Sequence, residues 1–251
     1  MSSSSDSDVS AKFFTPDKVG VFSRLSEMSS EELAMRFFAT VGSCAGLIAF
    51  QRGIYNIAAF LCVAISLNSQ DDWPPFNGPY HETYNLRYFW STFWHQNNTH
   101  RLSSMSRFMM HDVLRLRRGT ILVQYLRICL MFLFSGLQHV AIDFASGIPP
   151  WHSGAMQFFL MQPLGLVIEN LIVSLWNKGS QAPAKSPVKW WQCLLGWIWA
   201  GSWMAWTAPT YIYPIMALDS SESGGVVPLQ AHERQGRWQD EFFSRLDGQM
   251  P

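Results

Sequence analysis

The stretch "TILVQYLRICLMFLFSGLQHV" (Thr120–Val140) decides the fold class of this chain. It is apolar almost throughout, and Arg127 lies about seven residues inside it. A helix of ~20 predominantly apolar residues is long enough to cross the hydrocarbon core of a bilayer. The stretch therefore predicts a transmembrane α-helix.

The composition of the whole chain indicates the same class of protein. Only 14% of the 251 residues are charged, against roughly 25% in ordinary soluble domains. The chain also contains 12 Trp and 18 Phe, which a membrane protein places in the lipid and at its interface. The formal net charge is zero, so no basic excess indicates a nucleic-acid partner.

The cysteines and histidines do not form a metal-binding pattern. No CxxC pair occurs, and the cysteines all lie in apolar runs, which predicts buried, reduced thiols: Cys44, Cys62, Cys129 and Cys193. The histidines of the central polar segment have spacings that fit no zinc template: His81, His95, His100 and His111. We therefore expect neither a metal site nor a disulfide framework.

Further apolar runs complete the prediction of the fold. Leu33–Phe50 and Ile54–Leu67 are separated by "QRG" (Gln51–Gly53), which favours a tight helical hairpin; one long buried helix is the alternative. Two more runs follow at Gly154–Trp176 and Trp190–Leu218. We expect an all-α, polytopic membrane protein with about five transmembrane helices plus interfacial helices.

The apolar runs also divide the chain into three parts. Residues 1–30 are rich in Ser and Asp and lack the basic and apolar regions of a signal peptide, so we expect a disordered polar tail. Residues 31–218 form the expected membrane domain, and residues 219–251 form a polar C-terminal tail.

The basic residues of the loops predict the orientation. Segment 68–118 contains six Arg and loop 177–189 contains three Lys, whereas loop 141–153 contains neither. Basic loops remain on the cytosolic side, so we expect both basic segments and the N-terminus in the cytosol. The sequon at Asn97 would then never be glycosylated. A multi-pass protein of this kind is expected in the endoplasmic reticulum.

One helix of the central segment has the pattern of an interfacial helix. Arginines flank an apolar stripe in this helix. The apolar residues recur at helical period: Met105, Phe108, Met109, Val113 and Leu116. Such a helix suits the membrane surface. An ordinary surface helix is the alternative.

Polar residues inside apolar spans are costly and indicate function. His139 follows a small pair, Ser135-Gly136, by one helical turn, which leaves room beside the imidazole; capping its span is the alternative role. Arg127 is expected to snorkel, to pair with Glu169 or to meet an anionic ligand. Glu169 lies beyond Pro163 in the next span and needs a partner.

Four motifs occur in a characteristic order: "WPPF" (Trp73–Phe76), "LRYFWSTFWHQ" (Leu86–Gln96), "SGLQH" (Ser135–His139) and "PTYIYP" (Pro209–Pro214). Together they resemble the wax-synthase-like branch of the membrane-bound O-acyltransferases. The resemblance covers roughly residues 70–215 and is greatest to the fungal acetyltransferases of terpenoid and meroterpenoid biosynthesis. Members of that branch are generally longer, with more spans ahead of the aromatic block.

The resemblance implies roles for individual residues. His139 corresponds to the catalytic base and His95 to its partner in the same reaction chamber. An acyl-CoA tunnel would be lined by Phe89, Trp90, Trp94, Gln96 and Arg127. A histidine suits this chemistry because its ordinary pKa lies near neutrality, and His95 or Gln96 would steady the oxyanion.

The implied activity is transfer of an acetyl or other short acyl group from acyl-CoA to a hydroxyl of a lipophilic terpenoid. Acetyl-CoA is then a co-substrate, and no bound cofactor is expected. Synthesis of long-chain wax esters is the nearest alternative. A non-catalytic member of the family, acting as a scaffold or carrier, is the alternative of a different class.

Overall fold

Every regular element in the described part of the chain is helical, which confirms the predicted all-α class. The computed structural model describes residues 12–15, 18–20, 24, 26–94, 96–179 and 188–222, so most of the two predicted tails lies outside it. The α-helices are α1 (Ser30–Ala64), α2 (Leu86–Tyr88), α3 (Gln96–Phe108), α4 (Ile121–Ala145), α5 (Ala155–Gly179), α6 (Trp190–Thr207) and α7 (Pro209–Glu222). Short 3₁₀ turns lie at Gln70–Asp72 and Tyr80–Glu82, and π-helical turns extend α2 over Phe89–Phe93 and α3 over Met109–Val113.

Three helices of the described residues are long and apolar enough to cross a membrane: Ser30–Ala64, Ile121–Ala145 and Ala155–Lys178. The decisive stretch, Thr120–Val140, therefore lies in a helix of the predicted kind. The predicted number of about five spans is not confirmed, and three of the five runs differ from their prediction: the first two form one helix, and the last is divided.

The helical hairpin predicted for the first two runs is wrong, because α1 continues without a break through Gln51–Gly53. A single glycine costs a helix interior only about 1 kcal/mol relative to alanine, which does not end a helix of 35 residues. Arg52, within this helix, donates a hydrogen bond to the hydroxyl of Tyr80. The helix is not buried as the alternative supposed, since Phe60 is 72% exposed. Exposed apolar side chains of this kind face lipid in a membrane protein.

The single span predicted over Trp190–Leu218 is instead two helices, α6 and α7, which meet at Ala208. Pro209 explains the break, because proline lacks a backbone N–H and restricts the residue before it. At the first position of α7 the same proline is well tolerated.

A helix forms where the interfacial helix was predicted, but its pattern is interrupted. Its place at the membrane surface stays a prediction. The π-helical turn at Met109–Val113 adds a residue to the turn, so Met110 packs inward with 1% exposure. Met105, Phe108 and Val113 remain exposed on the outside. The cysteines are free, as predicted. The prediction that they are buried is wrong, because Cys129 is exposed and Cys44, Cys62 and Cys193 are partly exposed.

The chain divides into two units. The first is drawn from Met1–Met35, Leu133–Leu160 and Thr207–Pro251, and the second from Arg36–Phe132 and Met161–Trp206. Helix α4 thus contributes its C-terminal half, with His139, to the first unit and its N-terminal half, with Arg127, to the second.

The carboxylate of Glu169 organises the second unit. Its two oxygens accept hydrogen bonds from the backbone N–H groups of Leu86 at 2.7 Å and of Arg87 at 3.1 Å. These groups begin helix α2 and have no partner inside the helix, and a negative charge is favourable at that end. The pairing of Glu169 with Arg127 is therefore wrong, since the described residues contain no salt bridge between them.

Candidate active site

His139 lies at one end of a chain of hydrogen bonds in the first unit. Its Nδ1 is 3.2 Å from the hydroxyl oxygen of Tyr211, and that hydroxyl donates to Oδ1 of Asp143 at 3.1 Å. A tyrosine hydroxyl has one hydrogen, which here is committed to Asp143. The hydroxyl therefore accepts from His139, so Nδ1 carries the proton of the neutral imidazole and Nε2 carries the lone pair.

Asp143 is fixed in turn by the loop that leads into α5. The hydroxyl of Ser153 donates to Oδ2 of Asp143 at 2.5 Å and accepts from the backbone N–H of Ala155 at 3.3 Å. Asp143 is buried, and each of its carboxylate oxygens has a donor. The serine thus joins the end of α4 to the start of α5.

A glycine brings α7 close enough for Tyr211 to reach the histidine. A Cβ atom on Gly154 would lie 1.7 Å from the carbonyl oxygen of Thr210, a distance that no side chain tolerates. Glycine therefore permits the backbone of the loop to touch the backbone of α7. The position next along α7 is Tyr211.

Aromatic rings hold the imidazole in place. Phe159 stacks on His139 with ring centroids 4.6 Å apart, and Tyr211 meets it edge-on at 5.6 Å. A Cβ atom on Gly136 would lie 3.1 Å from Sδ of Met156 and 3.4 Å from Cβ of Phe159. The room predicted beside Ser135-Gly136 is therefore occupied by α5, which approaches α4 at this point. In the described part of the chain, Nε2 of His139 makes no hydrogen bond.

The predicted aromatic residues come together in the second unit. Phe89 stacks on Trp94 at 5.4 Å and meets Trp90 edge-on at 5.0 Å. Trp90 also contacts Phe132 at 5.4 Å. Phe89 and Trp90 on the π-helical turn and Trp94 directly after it are thus one packed cluster.

The remaining predicted site residues are His95, Gln96 and Arg127. His95 is not among the described residues, and neither is the side chain of Gln96, so the cavity predicted to be shared by His95 and His139 stays a prediction. Arg127 lines a cavity of about 600 Å³ in the second unit. None of the three aromatic residues lines that cavity. Among the described residues, no group of His, Cys, Asp and Glu is arranged to hold a metal ion.

Asp143, Ser153 and Tyr211 were not predicted. Asp143 follows His139 by four residues, a spacing that places both on one face of a helix, and this was a usable signal. Tyr211 lies 72 residues from His139. Only the packing of α7 against the loop at Gly154 brings it near.

Comparison with known proteins assigns the segment that contains His139 to a family. Residues 73–161, which include His139, Asp143 and Ser153, match the model of the membrane bound O-acyl transferase family. Through this segment the chain belongs to that family. The resemblance seen in the sequence is thereby confirmed, and the three apolar helices agree with a membrane protein.

Curated relatives of the family are named acetyltransferases. Acetyltransferase pyr8 of Aspergillus fumigatus is 36% identical over 176 residues, which cover 70% of this chain and 41% of the relative. Acetyltransferase ataH of Aspergillus terreus is 34% identical over 176 residues, 70% of this chain and 57% of the relative. Acetyltransferase aurG of Calcarisporium arbuscula is 28% identical over 218 residues, 86% and 52% respectively. The chain thus spans about half the length of the relatives it matches, and no solved structure matches it.

Proposed function

We propose that this chain is an acetyltransferase of the membrane, or the catalytic part of one. It would move an acetyl or other short acyl group from acyl-CoA to a hydroxyl of a lipophilic acceptor. The membership of residues 73–161 in the O-acyl transferase family and the names of the relatives support the reaction class. Terpenoid alcohols of fungal secondary metabolism, with the endoplasmic reticulum as the site, are the acceptor and location that the sequence resemblance favours.

The observation that carries the proposal is the hydrogen-bonded series from Nδ1 of His139 through the Tyr211 hydroxyl to Asp143. Because Tyr211 accepts from Nδ1, the lone pair of Nε2 is available to take a proton. A general base needs that lone pair and contributes about 10²–10⁴-fold to the rate.

The reaction then follows without a covalent enzyme intermediate. Nε2 of His139 removes the hydroxyl proton while the acceptor oxygen attacks the thioester carbonyl. The new C–O bond forms, the C–S bond breaks, and the CoA thiolate takes the proton back from Nε2. During this cycle the imidazolium is stabilised by its Nδ1–H bond to Tyr211, which is itself bonded to the Asp143 carboxylate. His95 and Gln96 remain our candidates for steadying the oxyanion, on the resemblance alone.

The test uses microsomes that contain the full chain. Labelled acetyl-CoA or palmitoyl-CoA is supplied with a panel of terpenoid and long-chain alcohols. We expect acetylated terpenoid with the natural chain, and a loss of about 10²–10⁴-fold with His139→Gln at equal membrane abundance. Palmitoylated long-chain alcohol would identify a wax-ester synthase instead. Equal turnover by His139→Gln, or no ester from any pair, would overturn the proposal.

A further inference from the structure

The cavity of about 600 Å³ in the second unit is strongly basic. Arginines reach it from α2, α3, α4 and the loop before α4: Arg87, Arg107, Arg127 and Arg118. Asp112 is the one carboxylate among the lining residues, and His111 also lines the cavity. Four guanidinium groups against one carboxylate leave three positive charges in excess.

The protein itself does not neutralise these charges. In the described part of the chain, no salt bridge involves any of the four arginines. Arg107 makes only long hydrogen bonds, to the Ser103 carbonyl at 3.3 Å and the Ser104 hydroxyl at 3.4 Å. Nε of Arg127 is buried and has no hydrogen-bond partner among the described residues. A buried charged donor without an acceptor is unfavourable, so this group is arranged for an anion.

The shape of the cavity also suits a ligand. Gly119 lines the cavity with a φ of +87°, a conformation that lets the loop turn back beside Arg118. The Nδ1 of His111 is 3.1 Å from the Leu116 carbonyl. A carbonyl only accepts, so Nδ1 donates and Nε2 is left for a ligand. The volume lies within the ~300–1,000 Å³ of small-molecule sites.

The chemistry of four arginines selects the ligand class. Guanidinium groups bind phosphate oxygens in pairs of parallel hydrogen bonds. One carboxylate could not engage four of them, whereas a molecule with several phosphate groups could. A phosphorylated nucleotide and a phosphorylated lipid headgroup both have this chemistry.

We propose that the cavity lined by Arg87, Arg107, Arg118 and Arg127 binds the phosphorylated nucleotide end of the acyl-CoA donor. The assignment to CoA rests on the function proposed above, because that reaction requires a CoA thioester. CoA carries a diphosphate and a 3′-phosphate, whose negative charge is opposite in sign to that of the cavity and large enough to neutralise its excess.

The experiment measures binding, so that it does not depend on turnover. The full chain is purified in detergent, and its affinity for CoA, for dephospho-CoA, which lacks the 3′-phosphate, and for vesicles containing a phosphoinositide is measured. Arg118→Gln is compared with Arg117→Gln, the adjacent exposed arginine that does not line the cavity. We expect Arg118→Gln to weaken CoA binding about tenfold or more and Arg117→Gln to leave it within about twofold.

The 3′-phosphate and the vesicles sharpen the result. If Arg118 or a neighbour contacts that phosphate, natural protein binds CoA more tightly than dephospho-CoA, and the difference shrinks in at least one of Arg87→Gln, Arg107→Gln and Arg118→Gln. If Arg118→Gln lost vesicle binding but kept the CoA affinity of the natural protein, the cavity would bind a lipid headgroup, and the proposal would be overturned. Unchanged affinity for both probes in Arg118→Gln and Arg107→Gln would also overturn it. Arginine-dependent CoA binding without any acetyl transfer would instead leave the cavity in place and refute the proposed function.

Discussion

The hydroxyl of Tyr211 lies 3.2 Å from Nδ1 of His139 and donates its own hydrogen bond to Asp143. This single contact determines which nitrogen of the histidine is basic. It also makes α7, which begins at Pro209, part of the proposed site. The matched family segment ends at residue 161, so the histidine is oriented by a residue outside it.

Tyr211→Phe should slow acetyl transfer while leaving the ring packing intact. The substitution removes the acceptor of Nδ1 and one donor to Asp143. Hydrogen bonds to charged groups contribute about 1.5–3 kcal/mol, so turnover per folded molecule should fall about 10- to 100-fold. The assay is the microsomal acetyl transfer described above, normalised to membrane abundance. Tyr125→Phe, on α4 and without a contact to His139, is the matched control and should turn over at the natural rate. Natural turnover in Tyr211→Phe would mean that the hydroxyl does not orient the base.

Asp143→Asn should slow acetyl transfer, and its loss should not add to that of Tyr211→Phe. It keeps the size of the side chain but removes the charge that faces the imidazolium through Tyr211. Because the two residues act as one chain, the double variant should be no more than about twofold slower than the slower single variant. Ser153→Ala leaves the carboxylate and its contact with Tyr211 in place and should lose less. Fully additive losses in the double variant would show that Asp143 acts by another route.

Gly154→Ala should lower both stability and turnover. The added methyl group would overlap the Thr210 carbonyl, so the loop or α7 must move and carry Tyr211 away from His139. Overpacking of this kind typically costs about 1–3 kcal/mol. Gly201→Ala is the control, since a Cβ atom there has nothing within 4 Å and alanine favours a helix interior. Thermal unfolding in detergent and the acetyl-transfer assay measure both effects. Equal unfolding midpoints for the two variants would contradict the proposed close approach.

The helical class followed from the sequence because long apolar runs leave the backbone few other ways to satisfy its hydrogen bonds in lipid. The breaks between helices were harder to predict. The polar "QRG" at Gln51–Gly53 looked like a turn, but one glycine is too weak a breaker, and α1 runs through it. Pro209 is a strong breaker. It divides the last apolar run into two helices, although we expected one span there.

One residue of the candidate site, His139, was predicted from the sequence, but the residues that orient it were not. His139 was found because a titratable group in an apolar run is costly. The hydrogen bonds that orient it depend on long-range packing, which periodicity along the chain does not encode. Glu169 illustrates the point: its charge required a partner, and the nearest sequence candidate was Arg127. The structure supplies two backbone N–H groups instead.

Glu169→Gln should destabilise the protein, because a glutamine offers one oxygen and turns an N–H group toward donors. At least one of the N–H groups of Leu86 and Arg87 then loses its charged acceptor, at a cost of about 1.5–3 kcal/mol. The measurement is the thermal unfolding midpoint in detergent, with Arg127→Gln as the comparison. Arg127 does not pair with Glu169, and its buried Nε has no acceptor among the described residues, so its substitution should not lower the midpoint. The double variant should then be no less stable than Glu169→Gln alone. If Arg127→Gln lowered the midpoint as much as Glu169→Gln, and the double variant no further, the two residues would form the ion pair that the structure lacks.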